Sequence, residues 1–265
     1  MSIISSNPSL KSGFARAESA PGWAAPGSNP LPTIEPSRAD TMTLSGSVHK
    51  TALSLLVLSL SAAFAWGMTL PSPAVWLLMF ACIGLSLVIT FKPIAATYLT
   101  LPYAVLEGFV VSSISKWYVS GLVYAGAGGP GLVWTALGLT VAIFAALLLI
   151  YATGVIKPSA NFKLALVAAT AGVSLFYIAT MLLGIFGVQM PLVFSTGTFG
   201  LGFSLLMVVL ASACLVADFD FVEEGVKNGL PKHMEWFAAF GLMVTVVWLY
   251  LEILRLLAKL QSRRN

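Results

Sequence analysis

Residues 51–91, TALSLLVLSLSAAFAWGMTLPSPAVWLLMFACIGLSLVITF, contain no Asp, Glu, Lys or Arg. One crossing of the hydrocarbon core of a bilayer takes about 20 helical residues, so this stretch is long enough for two crossings. Pro71 and Pro73 interrupt it near its middle, and proline does not continue a helix. The stretch therefore predicts two transmembrane helices joined by a short turn.

The rest of the chain repeats this pattern. Two further stretches without charged residues are 117–156 and 164–217. Hydrophobic residues make up 58% of the chain and charged residues 9%, whereas soluble domains are about a quarter charged. Seven apolar segments can be marked, at roughly 48–68, 74–91, 94–115, 132–154, 161–187, 199–222 and 233–259.

The form of these segments favours helices over a closed barrel. A membrane barrel shows segments of about ten residues in which polar and apolar side chains alternate, and no such alternation is found here. The sequence therefore predicts an all-α, polytopic membrane protein with seven transmembrane helices, surrounded by the lipid bilayer.

Residues 1–43 differ from the rest in composition. They are rich in Ser, Pro, Ala and Gly and show no sustained apolar period, which predicts a disordered N-terminal tail. They also lack the apolar core of a secretory signal peptide. We expect two regions: the tail, 1–43, and a transmembrane domain, 44–265.

The distribution of positive charge predicts the orientation. If the N-terminus is cytoplasmic, the loops and ends on that side carry Arg38, Lys50, Lys92, Lys157, Lys163, Lys227 and Lys232. The loops on the opposite side then carry only Lys116. The positive-inside rule therefore favours a cytoplasmic N-terminus. The C-terminal Lys259, Arg263 and Arg264 conflict with this, so either the last segment is re-entrant or these charges override the loops.

Several classes of function are not indicated. The net charge is +4, but the basic residues lie mostly at segment ends, where they fit the positive-inside rule better than nucleic-acid binding. Cys82 and Cys214 lie in apolar segments, and no Cys/His cluster suggests a metal or other cofactor. No phosphate loop, nucleophile elbow or HExxH motif is present, so we do not expect an enzyme.

Four acidic residues inside the segments are candidates for function: Glu107, Asp218, Asp220 and Glu252. Ionisable groups at membrane depth are costly and usually face a bundle interior or a water-filled path. Their oxygen atoms also suit a hard cation such as Ca²⁺.

Each of these residues also has a structural interpretation. Glu107 can simply accept hydrogen bonds from Ser or Thr on a neighbouring helix. Asp218 and Asp220 are two residues apart and do not share a helix face, so at most one should point into the bundle. Glu252 precedes Arg255 by three residues, which is the spacing of a local ion pair.

The C-terminal third carries motifs of a known family. Residues 217–226 (ADFDFVEEGV), 234–242 (MEWFAAFGL) and 248–257 (WLYLEILRLL), with 50–52 (KTA) and 103–108 (YAVLEG), resemble the bacterial branch of the Bax-inhibitor family, the transmembrane Bax inhibitor motif proteins. The resemblance implies a bacterial inner-membrane protein of seven helices with the last helix central. It also implies a pH-sensitive calcium leak, in which carboxylates on helices six and seven share a proton and gate the pore. Ca²⁺ is then a transported ion, with Asp218 as the residue that would contact it, and not a resident cofactor.

The matching positions are Asp218 on helix six and Glu252 on helix seven, but the sequence departs from the family pattern. Glu stands where an Asp is expected, and 34 residues separate the two acids, about ten more than the resemblance implies. A straight hairpin that turns near Gly229 would place Phe240 level with Asp218. Glu107 is therefore a competing partner for Asp218.

Three functional hypotheses remain open at this point. The first is a cation leak gated by protonation, in which Asp218, Glu107 or Glu252 lines an interior path. The second is a non-transporting regulator that binds a membrane-anchored protease or another membrane partner through residues 1–43. The third is an intramembrane hydrolase, which requires two acids within hydrogen-bond reach.

Overall fold

The computed structural model describes residues 40–124, 129, 131–186 and 197–264. Within them the chain forms seven long helices, each long and apolar enough to cross a membrane. They are α1 (Leu44–Trp66), α2 (Ser72–Phe91), α3 (Ala96–Tyr124), α4 (Gly131–Ala152), α5 (Ala160–Ile185), α6 (Thr198–Lys227) and α7 (Met234–Arg264), with a 3₁₀ turn, Pro93–Ala95, before α3. The predicted all-α, seven-span fold is confirmed. The tail was predicted to be disordered, and its residues 1–39 lie outside the described part of the chain.

Contacts between helices define the two ends of the bundle. At the first end, where α1 and α7 begin, Lys50 of α1 contacts Glu235 of α7. At the second end, where α7 finishes, Lys259 donates hydrogen bonds to the carbonyl oxygen of Gly200 and to Ser204 near the start of α6. Because α7 is one uninterrupted helix, a re-entrant last segment does not fit the structure.

The last helix occupies the centre of the bundle. α7 packs against α1, α3, α4 and α6, whereas α2 packs mainly on α3 and α5 on α6. Four side chains of α7 are completely shielded: Ala239, Met243, Leu249 and Leu254. Many large apolar side chains of α2, α4 and α5 are instead exposed, as expected for surfaces that face lipid. The predicted central position of the last helix is confirmed.

The close approach of α1 and α3 depends on Gly108. A Cβ atom at this position would lie 1.9 Å from Ser61 Oγ and 2.6 Å from the carbonyl oxygen of Leu58. Small residues at such crossings let two backbones pack tightly in a membrane. This contact fixes which face of α3 packs on α1, and Glu107 is the residue before Gly108.

The turn between α6 and α7 is set by a Schellman motif. The Leu230 amide donates to the Gly225 carbonyl oxygen at 3.0 Å, and the Gly229 amide donates to that of Val226 at 3.2 Å. Gly229 has a φ of 61°, in the left-handed region that favours glycine at this position. Pro231 follows and does not continue the helix. The motif fixes where α6 ends and therefore which residues of α7 lie beside it.

Candidate functional site

Asp218 lies at the interface of α6 and α7, against the hydroxyl group of Thr245. A straight hairpin turning at Gly229 would place Phe240 level with Asp218, whereas the Asp218 side chain contacts Thr245, five residues further along α7. The turn occupies residues 228–233, so its centre lies nearer Pro231, and the residue of α7 beside Asp218 is displaced towards the C-terminus.

The carboxyl group of Asp218 forms no ion pair with any residue that the structure describes. Its Oδ2 atom is buried and forms no hydrogen bond within the described structure. The hydroxyl group of Thr245 already donates to the carbonyl oxygen of Gly241 at 3.1 Å. The carboxylate therefore lies at membrane depth with the Thr245 hydroxyl group as its polar neighbour and no ion pair within the described structure.

Glu107 occupies a separate site between α2 and α3. Its side chain contacts the thiol group of Cys82 on α2 and the phenol group of Tyr103, one turn earlier on α3. Both neighbours are buried, and the ring of Tyr103 packs edge-on against Phe240 of α7, with 5.0 Å between ring centroids. None of these residues contacts Asp218, so the structure does not pair the two acids. The expected Ser or Thr donors to Glu107 are replaced by Cys82 and Tyr103.

Asp220 faces away from Asp218, as expected for residues two apart on a helix. It forms an ion pair with Lys163 of α5, which also pairs with Glu224 at 2.9 Å. The hydroxyl group of Tyr151 on α4 lies 3.2 Å from Asp220 Oδ1 and 2.5 Å from Glu223 Oε2. Asp220 therefore joins a charged network that ties α4 and α5 to the end of α6.

Glu252 is buried in a different network near the second end. Its side chain accepts hydrogen bonds from Nη1 of Arg255 at 3.0 and 2.9 Å, one to each carboxylate oxygen. Trp248 Nε1 and the Tyr177 hydroxyl group also donate to Glu252, each at 3.3 Å. Arg255 in turn donates to the hydroxyl groups of Tyr177 and Tyr118, at 2.6 and 3.3 Å. The local ion pair expected from the spacing is present, and it neutralises Glu252.

Asp218 and Glu252 do not meet. Thr245, the residue beside Asp218, lies about 10 Å along the helix axis from Glu252 at 1.5 Å per residue. The hydrogen bonds of Glu252 all come from residues other than Asp218. The two acids that the resemblance implies to share a proton therefore lie in separate surroundings.

Sequence reasoning did not single out Glu235, the most enclosed acid at the first end, which is 1% exposed. Its carboxylate pairs with Lys50 at 2.6 Å and Lys232 at 2.8 Å. It also accepts hydrogen bonds from the amide and the hydroxyl group of Thr43, both at 2.8 Å. Lys232, three residues earlier in the chain, was the only sequence signal for this site, because Thr43 and Lys50 are remote in sequence.

The acids of the described helices thus fall into two groups. Those with a basic partner are Asp220, Glu223, Glu224, Glu235 and Glu252. Asp218 and Glu107 form no ion pair within the described structure. The described residues also contain no group of three or more His, Cys, Asp or Glu side chains that could hold a metal ion.

Comparison with known proteins identifies the family. The family model described as Bax inhibitor 1 like matches residues 7–262. No curated protein matches the chain. The family match includes all seven helices and covers nearly the whole sequence. The protein therefore belongs to the Bax inhibitor 1-like family.

Proposed function

We propose that this protein is a pH-sensitive cation leak, with Ca²⁺ as the transported ion and Asp218 as the group whose protonation controls the path. The observation that carries this proposal is the environment of Asp218, an acid at the junction of α6 with the central helix. Among the described residues, its buried oxygen has no hydrogen-bond partner and no basic side chain pairs with it.

The chemistry of this position supports the proposal. A buried carboxylate without a partner is costly, and either a proton or a bound cation offsets that cost. A protonated Asp218 could donate to Thr245 Oγ1, whose own hydrogen points to Gly241. A deprotonated Asp218 offers oxygen ligands of the kind that Ca²⁺ takes. One side chain can therefore respond to both protons and cations.

The remaining acids suit this role less well. Glu252 has four hydrogen bonds and a guanidinium partner, so it acts in the proposal as a structural group. Asp220 is paired with Lys163. Glu107 lacks a cation partner but lies between α2 and α3, so we assign it a second, independent response to protons and not a shared proton with Asp218.

We further propose that the protein lies in a bacterial inner membrane with its N-terminus in the cytoplasm. Two of the basic residues at the second end are engaged inside the protein, which weakens the conflict with the positive-inside rule. Lys116 donates to the carbonyl oxygen of Ala65 at 2.8 Å, and Lys259 is 7% exposed and donates to that of Gly200 at 3.0 Å. These ammonium groups stabilise helix ends and are not free to bind lipid headgroups.

The leak is tested by Ca²⁺ flux into dye-loaded liposomes that contain the purified protein, at about pH 6, 7 and 8. The expected result is a flux that depends on pH in the natural protein and is independent of pH in Asp218→Asn. Glu224→Gln is the matched control, because Glu224 is an exposed carboxylate on the same helix. It should retain the pH dependence. A flux no greater than that of empty liposomes at every pH would contradict the proposal.

One observation favours a second candidate function, a non-transporting regulator of a membrane-anchored protease or another membrane protein. Residues 40–43, the last four of the tail, are fixed to the start of the central helix, so a partner bound to the tail could act on the bundle. In that case removal of residues 1–39 should abolish co-purification of the partner, and Asp218→Asn should leave it unchanged.

A further inference from the structure

Residues 40–43 and the turn between α6 and α7 form a small structure that we call the clasp: residues 40–43 with 230–232 and Glu235. Thr41 and Pro231 form an antiparallel bridge. The Met42 amide donates to the Leu230 carbonyl oxygen at 2.6 Å, and the Lys232 amide donates to that of Asp40 at 2.9 Å. The chain is therefore held against the base of α7 before it enters α1.

An apolar contact closes the clasp on the side of α6. Met42 is 2% exposed and lies over Gly225, where an added Cβ atom would be 2.8 Å from its sulfur atom. Gly225 lies seven residues after Asp218, and residues seven apart share a helix face. Met42 therefore packs on the same face of α6 that carries Asp218.

An electrostatic contact closes the clasp on the side of α7. Glu235 accepts two hydrogen bonds from Thr43 and pairs with Lys50 and Lys232. A Cβ atom on Gly46 would lie 2.3 Å from Glu235 Oε1, so the start of α1 leaves no space above the carboxylate. The carboxylate keeps its bonds to Thr43 and Lys50 only while residues 43–50 stay in place, which couples the start of α1 to the first turn of α7.

We propose that the clasp is a conformational restraint on the interface of α6 and α7. When closed, it holds Met42 over Gly225 and limits the separation of the two helices around Asp218. The restraint rests on the structure alone, and its effect on ion flux rests on the proposed leak.

A reversible disulfide tests the restraint in the full-length chain. Residues opposite each other in an antiparallel pair have Cα atoms about 4.5–5.5 Å apart, within the range that a disulfide spans. The variant is Thr41→Cys with Pro231→Cys, oxidised with copper–phenanthroline and then reduced with dithiothreitol. The single variants are controls for reaction of the natural cysteines, which lie at Cys82 and Cys214.

Two readouts separate the restraint from the leak. Hydrogen exchange in lipid nanodiscs follows the amides near Asp218 and Thr245, and Ca²⁺ flux follows transport. We expect oxidation to slow exchange at those amides and to lower flux by about fivefold or more, and reduction to reverse both changes. Met42→Ala should have the opposite effect on exchange, because it removes the contact over Gly225.

The outcomes are distinct. Slower exchange in a protein without measurable flux would support the restraint and contradict the leak. Slower exchange confined to residues 40–46 and 228–235, with flux unchanged by oxidation, would overturn the restraint.

Discussion

The surroundings of Asp218 and Glu252 differ although both acids lie on the helical hairpin of α6 and α7. Glu252 is 2% exposed and bound by Arg255, Tyr177 and Trp248. Within the described structure, Asp218 has a buried oxygen without a hydrogen-bond partner and forms no ion pair with a basic side chain. Two carboxylates on one hairpin can therefore have opposite roles, because the supply of hydrogen-bond donors decides whether the charge is fixed.

The largest expected loss of stability comes from a substitution that breaks the Glu252 network. In Arg255→Met the buried carboxylate loses its guanidinium partner, and the free energy of unfolding should fall by about 3–5 kcal/mol. Reversible unfolding in mixed micelles measures this change. The double variant Glu252→Gln with Arg255→Met removes both charges and should recover most of the loss. A single variant no less stable than the double one would show that the pair is not a structural element.

A smaller effect is expected when the network loses one neutral member. Tyr177→Phe removes a hydroxyl group that donates to Glu252 and accepts from Arg255, which should lower the free energy of unfolding by about 2 kcal/mol. Tyr98→Phe is the matched control, because Tyr98 is 76% exposed on α3. Equal losses in the two variants would contradict the assigned role of Tyr177.

The smallest effect on stability is expected at Asp218. Asp218→Asn removes a costly charge that has no basic partner among the described residues, so the free energy of unfolding should not fall. Asp220→Asn breaks the pair with Lys163 and should cost about 1–2 kcal/mol. Unfolding of the two variants side by side measures the contrast. A larger loss for Asp218→Asn would show that Asp218 has a stabilising partner.

Local sequence patterns predicted much of this fold. Apolar segments of about 20 residues marked the seven helices, because a crossing of the bilayer core needs that length of apolar helix. The three-residue spacing predicted the pair of Glu252 with Arg255, since both lie on one helix. The contact of Asp218 with Thr245 was not predicted, because a straight hairpin gives the level of a residue on the facing helix and not the direction in which its side chain points.

Contacts between distant segments account for the rest of the candidate site. Glu235 is buried by Thr43 and Lys50, and Asp220 is neutralised by Lys163 and Tyr151. Such pairs depend on the rotation of each helix about its own axis, which hydropathy leaves undetermined in a segment that is apolar on all sides. The sequence pointed to four of these acids and to the pairing of Glu252, and the packing showed that Asp220 is paired and that Asp218 and Glu107 form no ion pair among the described residues.

The central claim is that Asp218, and not Glu252, changes protonation in the folded protein. Infrared difference spectroscopy of the carboxyl stretch between about pH 6 and pH 8 tests it directly in lipid. The natural protein should show a protonated-carboxyl band that is diminished in Asp218→Asn. The band should persist in full in the double variant Glu252→Gln with Arg255→Met. A band lost in the double variant and retained in Asp218→Asn would contradict the account.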